Sequence, residues 1–495
     1  MITPSEPPSG AFLLAAGLRA RGIEAGFLDL SLAFFRHIFG SAPSGRGMPD
    51  VASALRYLEE NEAYTPQGHR TASGTLNSAM GNFSRLFPGW RLTLMDASPP
   101  VPVHDPHGVA VLCEGGETPF KGFWNEYLLP VLERHKPSRV FISISYLSQL
   151  AAGIELAGYL RTRGFDFLVG GSLPNSLSRT GNGFRLLKEV IPETVTGDGS
   201  EVLGAESRER MLDRLDWPLM IRDWDYISGR PVIPFALTTG CYWNRCLFCP
   251  DSDWQLEVFG EEVLSRFLDT VPSELMERRP ILHFIDSAVP PGPLRRALPF
   301  LEERGLDFYT FARPEPWLPG MARDLSSAGC LMLQMGVESG SRTLLDRYCK
   351  GIDPDDSLRA LRSCAEEGIR TYAYMLLGLP GESEEDIGSS LELLTKAGDS
   401  LDFINLSIFN LPEHCRLVSM AAEFGIELLD PPESEDCIRL YRPFLYRGRN
   451  PRVPARRRIA DGFSSIPSVA RALRRTPRWF RTSHFPMMQV DGRRS

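Results

Sequence analysis

No run of about 18 uninterrupted apolar residues occurs anywhere in the 495-residue chain, so the sequence predicts no membrane-spanning helix. The opening MITPSEPPSG lacks the basic start and apolar stretch of a signal peptide, which makes the cytoplasm the expected location. Broad positive charge is missing too: the formal net charge is −8, so the protein as a whole exerts no general pull on nucleic acid. A second C-x2-C pair is absent, which removes the usual other half of a four-cysteine zinc site. Apart from one cluster, the downstream cysteines (Cys330, Cys349, Cys364, Cys415 and Cys437) stand singly, and each is expected to be a small buried apolar residue. Apolar content of 43% and charge of 23% are those of a globular protein. The length exceeds what one core supports, so two large domains and a small third are expected.

What is present is a triplet of thiols. Cys241, Cys246 and Cys249 lie within nine residues, in TTGCYWNRCLFCPD. Three thiolates with no obvious fourth suit an iron-sulfur cluster that leaves one iron open to a non-protein ligand. Zinc with a distant fourth ligand, or unligated thiols, are the alternatives.

From Val232 onward, short apolar runs recur with helical stretches between them: VIPFALTT, then residues 281–286, 307–312, 331–338, 371–378 and 403–410. They read as buried parallel strands. The intervening segments carry helix-start signals, a Ser383-x-x-Asp386 cap in one and Asp353-Pro354 in another. Six such units make an incomplete β/α barrel, and the cysteine loop follows its first strand, at the end where barrels place their chemistry. Upstream, residues 140–145 read as a strand, a helix turns Leu150, Ile154 and Ala157 inward, and a second strand ends at Gly170-Gly171. A helix followed by a strand is also expected between Gly10 and Leu30. Such units suggest a doubly wound domain with its ligand over the strand ends, although Gly170-Gly171 alone is equally a tight turn. Residues 35–90 read as irregular helices. Beyond Arg447 the chain is rich in arginine and reads as a solvated tail, with contact to an anionic partner as the alternative.

The GCYWNRCLFC loop, the VESGS segment at 337–341, Lys350-Gly351 and the LLGLPGE segment at 376–382 together resemble the radical S-adenosylmethionine (SAM) superfamily. With ISYLSQ and the opening segment upstream, the chain is most similar to members carrying an N-terminal cobalamin (B12)-binding domain. The fold implied is α/β: a Rossmann-like domain of cobalamin-binding type at 1–201, a linker at 202–230, a partial (β/α)6 barrel at 231–430 and an Arg-rich extension at 431–495. By this resemblance Cys241, Cys246 and Cys249 ligate a 4Fe-4S cluster whose fourth iron chelates SAM. Phe248 borders the adenine, and Glu338, Ser339, Gly378, Leu379 and Pro380 line the SAM pocket. Asp286 and Arg313 are further candidates, with helix capping or ion pairing as the ordinary explanation for the acids. The superfamily's common spacing is C-x3-C-x2-C, whereas this chain has C-x4-C-x2-C, which lengthens the loop without removing a ligand. Ser145, Ser148, Gly170, Gly171 and Gly197 are the positions expected near a cobalamin. No D-x-H-x-x-G occurs, so a bound corrinoid would lack the histidine that motif supplies.

The implied reaction is reductive cleavage of SAM to methionine and a 5′-deoxyadenosyl radical, followed by cobalamin-dependent methylation of an unactivated carbon. The implied partners are a small electron-donor protein of flavodoxin or ferredoxin type and a small-molecule, peptide or lipid substrate. A cyclase or rearrangement enzyme with the same domains, and a non-catalytic metal-stabilised binding protein, are the competing readings.

Overall fold

The computed structural model describes residues 4–42, 50–60, 65–179, 181–197, 199, 226–429, 437–476, 479, 484 and 488. Most of the expected 202–230 linker lies outside them.

Two parallel strands, β1 (Val140–Ser143) and β2 (Phe167–Gly170), organise the N-terminal region, and Thr194 adds a parallel bridge to Val169. The helix Leu150–Thr162 connects them, and Leu150, Ile154 and Ala157 are fully buried, as their spacing predicts. Residues 30–84 form three well-defined helices rather than irregular ones, each N-capped by an Asp or Thr side chain. Among the described residues, no ladder partner is assigned to residues 23–29, where a strand was expected. The helix ahead of it, Ser9–Ala20, buries Phe12 and Ala16 in the same cluster as the barrel's outer face.

Within this N-terminal core Glu155 is almost completely buried. One carboxylate oxygen accepts from Thr118 Oγ1 at 2.6 Å and Trp124 Nε1 at 3.2 Å, while the other has no partner. Burial pushes its carboxyl up to about 7. Because the folded-state value lies above the unfolded one, stability is greatest when both states are protonated and falls as pH rises from about 4.5 to about 7. Glu155→Gln is expected to flatten that slope and to stabilise the protein above pH 7 by on the order of 3 kcal/mol. Denaturant titrations at pH 5 and pH 8 check this.

The second sheet has six parallel strands in sequential order: β3 (Val232–Phe235), β4 (Ile281–Phe284), β5 (Asp307–Ala312), β6 (Cys330–Glu338), β7 (Arg370–Leu377) and β8 (Phe403–Ile408). Helices follow the strands and cover the convex face. Alternation along each strand divides the side chains into two sets. Ile233, Leu282, Phe308, Leu333, Ala373 and Ile404 pack under the helices, while Val232, Ile281, Tyr309, Met332, Tyr372 and Phe403 face the lumen. The helix caps fall where the sequence places them: Ser383 and Asp386 form a reciprocal capping box, and the Asp353 carboxylate accepts from Asp355 N at 2.8 Å.

The Arg-rich segment is not a solvated tail in its described part. Helices Arg452–Asp461 and Pro467–Arg475 lie on the barrel beside β8. They bury Ala455, Phe463, Val469 and Ala472 completely. Arg458, Arg471 and Arg475 pair with Glu384, Asp399 and Asp402. The Arg458 and Arg471 pairs lie at the surface and contribute about 0–1 kcal/mol each, whereas Arg475 meets a buried Asp402, so the apolar side chains and that last pair hold the segment down.

Candidate active site

After β3 the backbone turns out at Leu237 and Thr238, and their amides are held by Asp286 from the end of β4. Asp286 Oδ2 accepts from Leu237 N at 3.1 Å; Oδ1 accepts from Thr238 N at 2.7 Å and from Thr238 Oγ1 at 2.6 Å. Both oxygens are thereby engaged by the base of the cysteine loop, so Asp286 anchors that loop. Gly240, with φ +77°, passes so close to Gln255 O that a Cβ there would sit 2.8 Å from it. Thr238 and Thr239 then pair antiparallel with Val258 and Glu257, closing the loop at its neck.

Within the loop, Cys249 N donates to Cys246 O at 3.3 Å. Asn244 adopts φ +46°, a left-handed conformation that Asn tolerates, at the place where the spacing is one residue longer than usual. Cys246 is buried and feels the charges of Cys241 and Glu338 on one side and of Lys350 and Arg313 on the other. Burial pushes the Cys249 thiol up to about 12, and the Cys246 thiol also upward. Binding iron as thiolate reverses that penalty by supplying positive charge at the sulfur. Among the described residues no group of three His, Cys, Asp or Glu side chains is placed to hold a single metal ion. Of the single cysteines, Cys330, Cys364 and Cys415 are buried as expected, but Cys349 is exposed and Cys437 half-buried. Cys349 sits at φ +53° in the turn after the helix Arg342–Arg347, which turns its side chain outward.

A charged frame surrounds the loop. Lys350 Nζ donates to Glu338 Oε1 at 2.9 Å, with both side chains largely buried. Glu338 itself has φ +63°, at a register shift between Gly336 and Glu338, and a Cβ on Gly336 would collide with this ion pair. The ion pair with Lys350 is the ordinary explanation for a half-buried acid at a strand end. Arg313, at the end of β5, donates to Glu315 at 2.5 Å and to Lys350 O, and its guanidinium lies 4.7 Å over the Trp243 ring. Trp243 Nε1 donates to Cys349 O at 2.8 Å. Gly351, at φ +66°, leaves room for that indole: a Cβ would lie 1.8 Å from it. Gly351→Ala is therefore expected to dislodge Trp243 and lower cluster incorporation severalfold, measured as iron and absorbance per chain after anaerobic reconstitution.

Ser339 is buried and engaged locally: its hydroxyl meets Ser390 Oγ at 3.1 Å and accepts from Ser341 N. Gly378, at φ +83°, donates its amide to Glu382 Oε2 at 2.8 Å, and burial lifts that carboxyl to about 7. Leu379 is buried, and Pro380 O accepts from Tyr348 OH at 2.6 Å. Phe248 rests half-buried against the Tyr348 ring, 6.1 Å between centroids. Phe248, Arg313, Glu338 and the 378–380 turn thus lie around the cysteine loop and Asp286 anchors its base, while Ser339 is tied to Ser390 and Ser341 instead. The sequence reading placed Trp243 beside the loop as a possible seal and used Lys350-Gly351 only as a point of family resemblance; it missed Glu315 and the ion pair that Lys350 makes with Glu338.

Residues 235–394 match the model of the Radical SAM superfamily. The barrel is a radical SAM domain. An uncharacterised methyltransferase of Pyrococcus horikoshii is 25% identical over 193 residues, covering 36% of this chain and 39% of that protein. The tryptophan 2-C-methyltransferase of Streptomyces laurentii is 23% identical over 191 residues, 35% of this chain and 32% of that protein. The chain therefore spans well under half the length of these relatives. Among solved structures, the cobalamin-dependent SAM radical enzyme OxsB, with aqua-cobalamin and SAM bound, superposes with a TM-score of 0.51 at 15% identity. That match covers 64% of this chain and 56% of OxsB. It establishes a shared α/β fold that extends beyond the radical SAM domain.

The radical SAM family implies a 4Fe-4S cluster and SAM, and the donor set fits: three cysteines on one loop, flanked by two cations and a half-buried aromatic. At the N-terminal region, Gly171 (φ +108°) lies against Ile144, where a Cβ would come within 2.6 Å of Ile144 O. Ile144 N donates to Gly170 O, Gln149 Oε1 accepts from Ser145 N, and Asn175 exchanges two 2.8 Å hydrogen bonds with Gly197. Gly170, Gly171, Ser145 and Gly197 thus share the carboxyl edge of β1 and β2, with Ser148 in the turn that follows β1. Among the described residues no helix is long and apolar enough to cross a membrane.

Proposed function

We propose that this chain is a radical SAM enzyme that methylates an unactivated carbon with the help of cobalamin. When bound, a 4Fe-4S cluster with SAM supplies one-electron cleavage to methionine and a 5′-deoxyadenosyl radical, and cobalamin supplies a methyl carrier. The observation that carries the reading is the three-cysteine loop framed by Lys350, Arg313 and the Glu338 turn. Cys241, Cys246 and Cys249 would hold the cluster. Phe248 and the Gly378–Pro380 turn would bound the SAM adenosine, with Glu338 and Arg313 at its polar end. Trp243 and Tyr242, tied to Cys349 O and Glu315, would exclude water from a radical that a stray hydrogen donor quenches. At the edge of β1 and β2, the donors are backbone and small polar groups without a histidine, as suits a corrinoid that takes no lower ligand from the protein. Gly197 faces open space there.

The methyltransferase names of two relatives favour methyl transfer over cyclisation. The electron would come from a small flavodoxin- or ferredoxin-type protein. The location would be the reducing cytoplasm, where the thiols of a metal site persist. Anaerobic purification, corrinoid extraction and incubation with SAM and reductant test the proposal. Deoxyadenosine together with bound corrinoid, and a product heavier by one methyl group, are expected. Deoxyadenosine without corrinoid would redirect the reading to a cobalamin-independent rearrangement.

A further inference from the structure

Below the cysteine loop, the radical SAM domain's lumen is lined by aromatic rings and holds an unusual set of polar groups. His283, on β4, stacks on Tyr309 at 4.2 Å and 12°, and its Nδ1 lies 2.9 Å from Glu6, which also accepts from Tyr309 OH at 3.3 Å. The Nδ1 edge of His283 is taken by the Glu6 carboxylate, which leaves Nε2 as its free edge. That Nε2 is buried and has no partner. Gln334 Nε2, on β6, is likewise buried and unpartnered, while its Oε1 accepts from Tyr374 OH at 2.8 Å.

Between them sits an imidazole from the far end of the chain. His484 is in edge contact with His283 and Tyr309, both at 5.8 Å, and its Nε2 is 3.5 Å from Tyr374 OH. Its Nδ1 is a third buried nitrogen without a partner. Burial holds this ring neutral, its pKa pressed down to about 3. A buried polar group without a partner is costly, so His283 Nε2 and Gln334 Nε2 indicate two groups set for a partner other than this imidazole. The chamber also communicates with the cluster side, since Tyr374 feels the charge of Glu338.

We propose that His484 is an intramolecular stand-in for substrate, and that the lumen takes a neutral, planar nitrogen heterocycle read by His283 and Gln334, with Glu6 as the positioning residue. This rests on reading the barrel as the reaction chamber and names the substrate class that chamber admits. Ring walls supply stacking, the free Nε2 edge of His283 hydrogen-bonds one polar atom of the ligand ring, and one amide N–H meets a ring nitrogen or carbonyl. The imidazole now seated there is held neutral by burial, so the chamber suits an uncharged ring.

Benzimidazole, with naphthalene as the apolar control of the same shape, is the probe, applied to full-length anaerobically purified protein. In His484→Ala, benzimidazole is expected to bind about tenfold or more tighter than in wild type, because the competing ring is gone. Naphthalene should show no comparable gain, and adding Gln334→Leu should abolish the benzimidazole gain. Cluster absorbance reports whether each variant folds. Independently of any variant, benzimidazole should shift the 15N resonances of His283 and His484 in wild type, and Glu6→Gln should change the tautomer balance of His283. Equal gains for both probes, no gain in His484→Ala, or unmoved histidine resonances would overturn the proposal. Deoxyadenosine release from the same preparations reports separately on the proposed reaction.

Discussion

Cys246→Ala is expected to purify without the visible absorbance of an iron-sulfur cluster and to cleave SAM at less than about one hundredth of the wild-type rate, a larger loss than the 10–100-fold typical of residues that only support a ligand. Cys241→Ala and Cys249→Ala should behave alike, because each thiolate serves its own iron and none can be replaced by another. The loop itself should survive. Its base is tied by Asp286 to Leu237 and Thr238, and its neck by the Thr238–Val258 pairing, neither of which involves sulfur. Far-ultraviolet circular dichroism should therefore match wild type while iron content collapses. A variant that retains full cluster absorbance would remove that cysteine from the ligand set.

The second large effect is expected at Lys350. Removing one partner of a buried ion pair leaves the other charge desolvated and typically costs about 3–5 kcal/mol. Lys350→Met strands Glu338 beside Gly336 and withdraws one of the two cations facing Cys246. The protein should lose stability on that scale and incorporate less cluster. The double variant Lys350→Met/Glu338→Gln should recover most of the stability, since no unpaired charge remains, but not the cluster, since the cation is still missing. Denaturant unfolding of the four combinations separates the two roles. If the single and double variants are equally destabilised, the ion pair is not what holds this turn.

The six-strand barrel was legible because each strand is a short apolar run between capped helices. Ser383 and Asp353 announced two of those helices, and the structure seats both caps as read. The cysteine loop was legible from its spacing alone. Three features were hidden, each for a physical reason. The Arg-rich end looked solvated because charge dominates its composition, yet Ala455, Phe463, Val469 and Ala472, spread over two helices and the turn between them, bury completely. Residues 23–29 are strand-like in composition, but among the described residues no partner strand pairs with them, and pairing is a property of tertiary structure. The lumen groups Glu6, His283 and His484 are separated by nearly the full chain length, so only folding brings them together. Asp286 shows the opposite limit: the sequence located it at a strand end but could not distinguish a cofactor contact from the loop anchor its hydrogen bonds make it.

The central claim is that three thiolates hold a cluster whose remaining iron is free for SAM. The most direct test is electron paramagnetic resonance of the reduced, anaerobically reconstituted protein with and without SAM. A signal of a reduced 4Fe-4S cluster whose g-values shift when SAM is added is the predicted result. Stoichiometric zinc without such a signal, or a cluster signal indifferent to SAM, would contradict it.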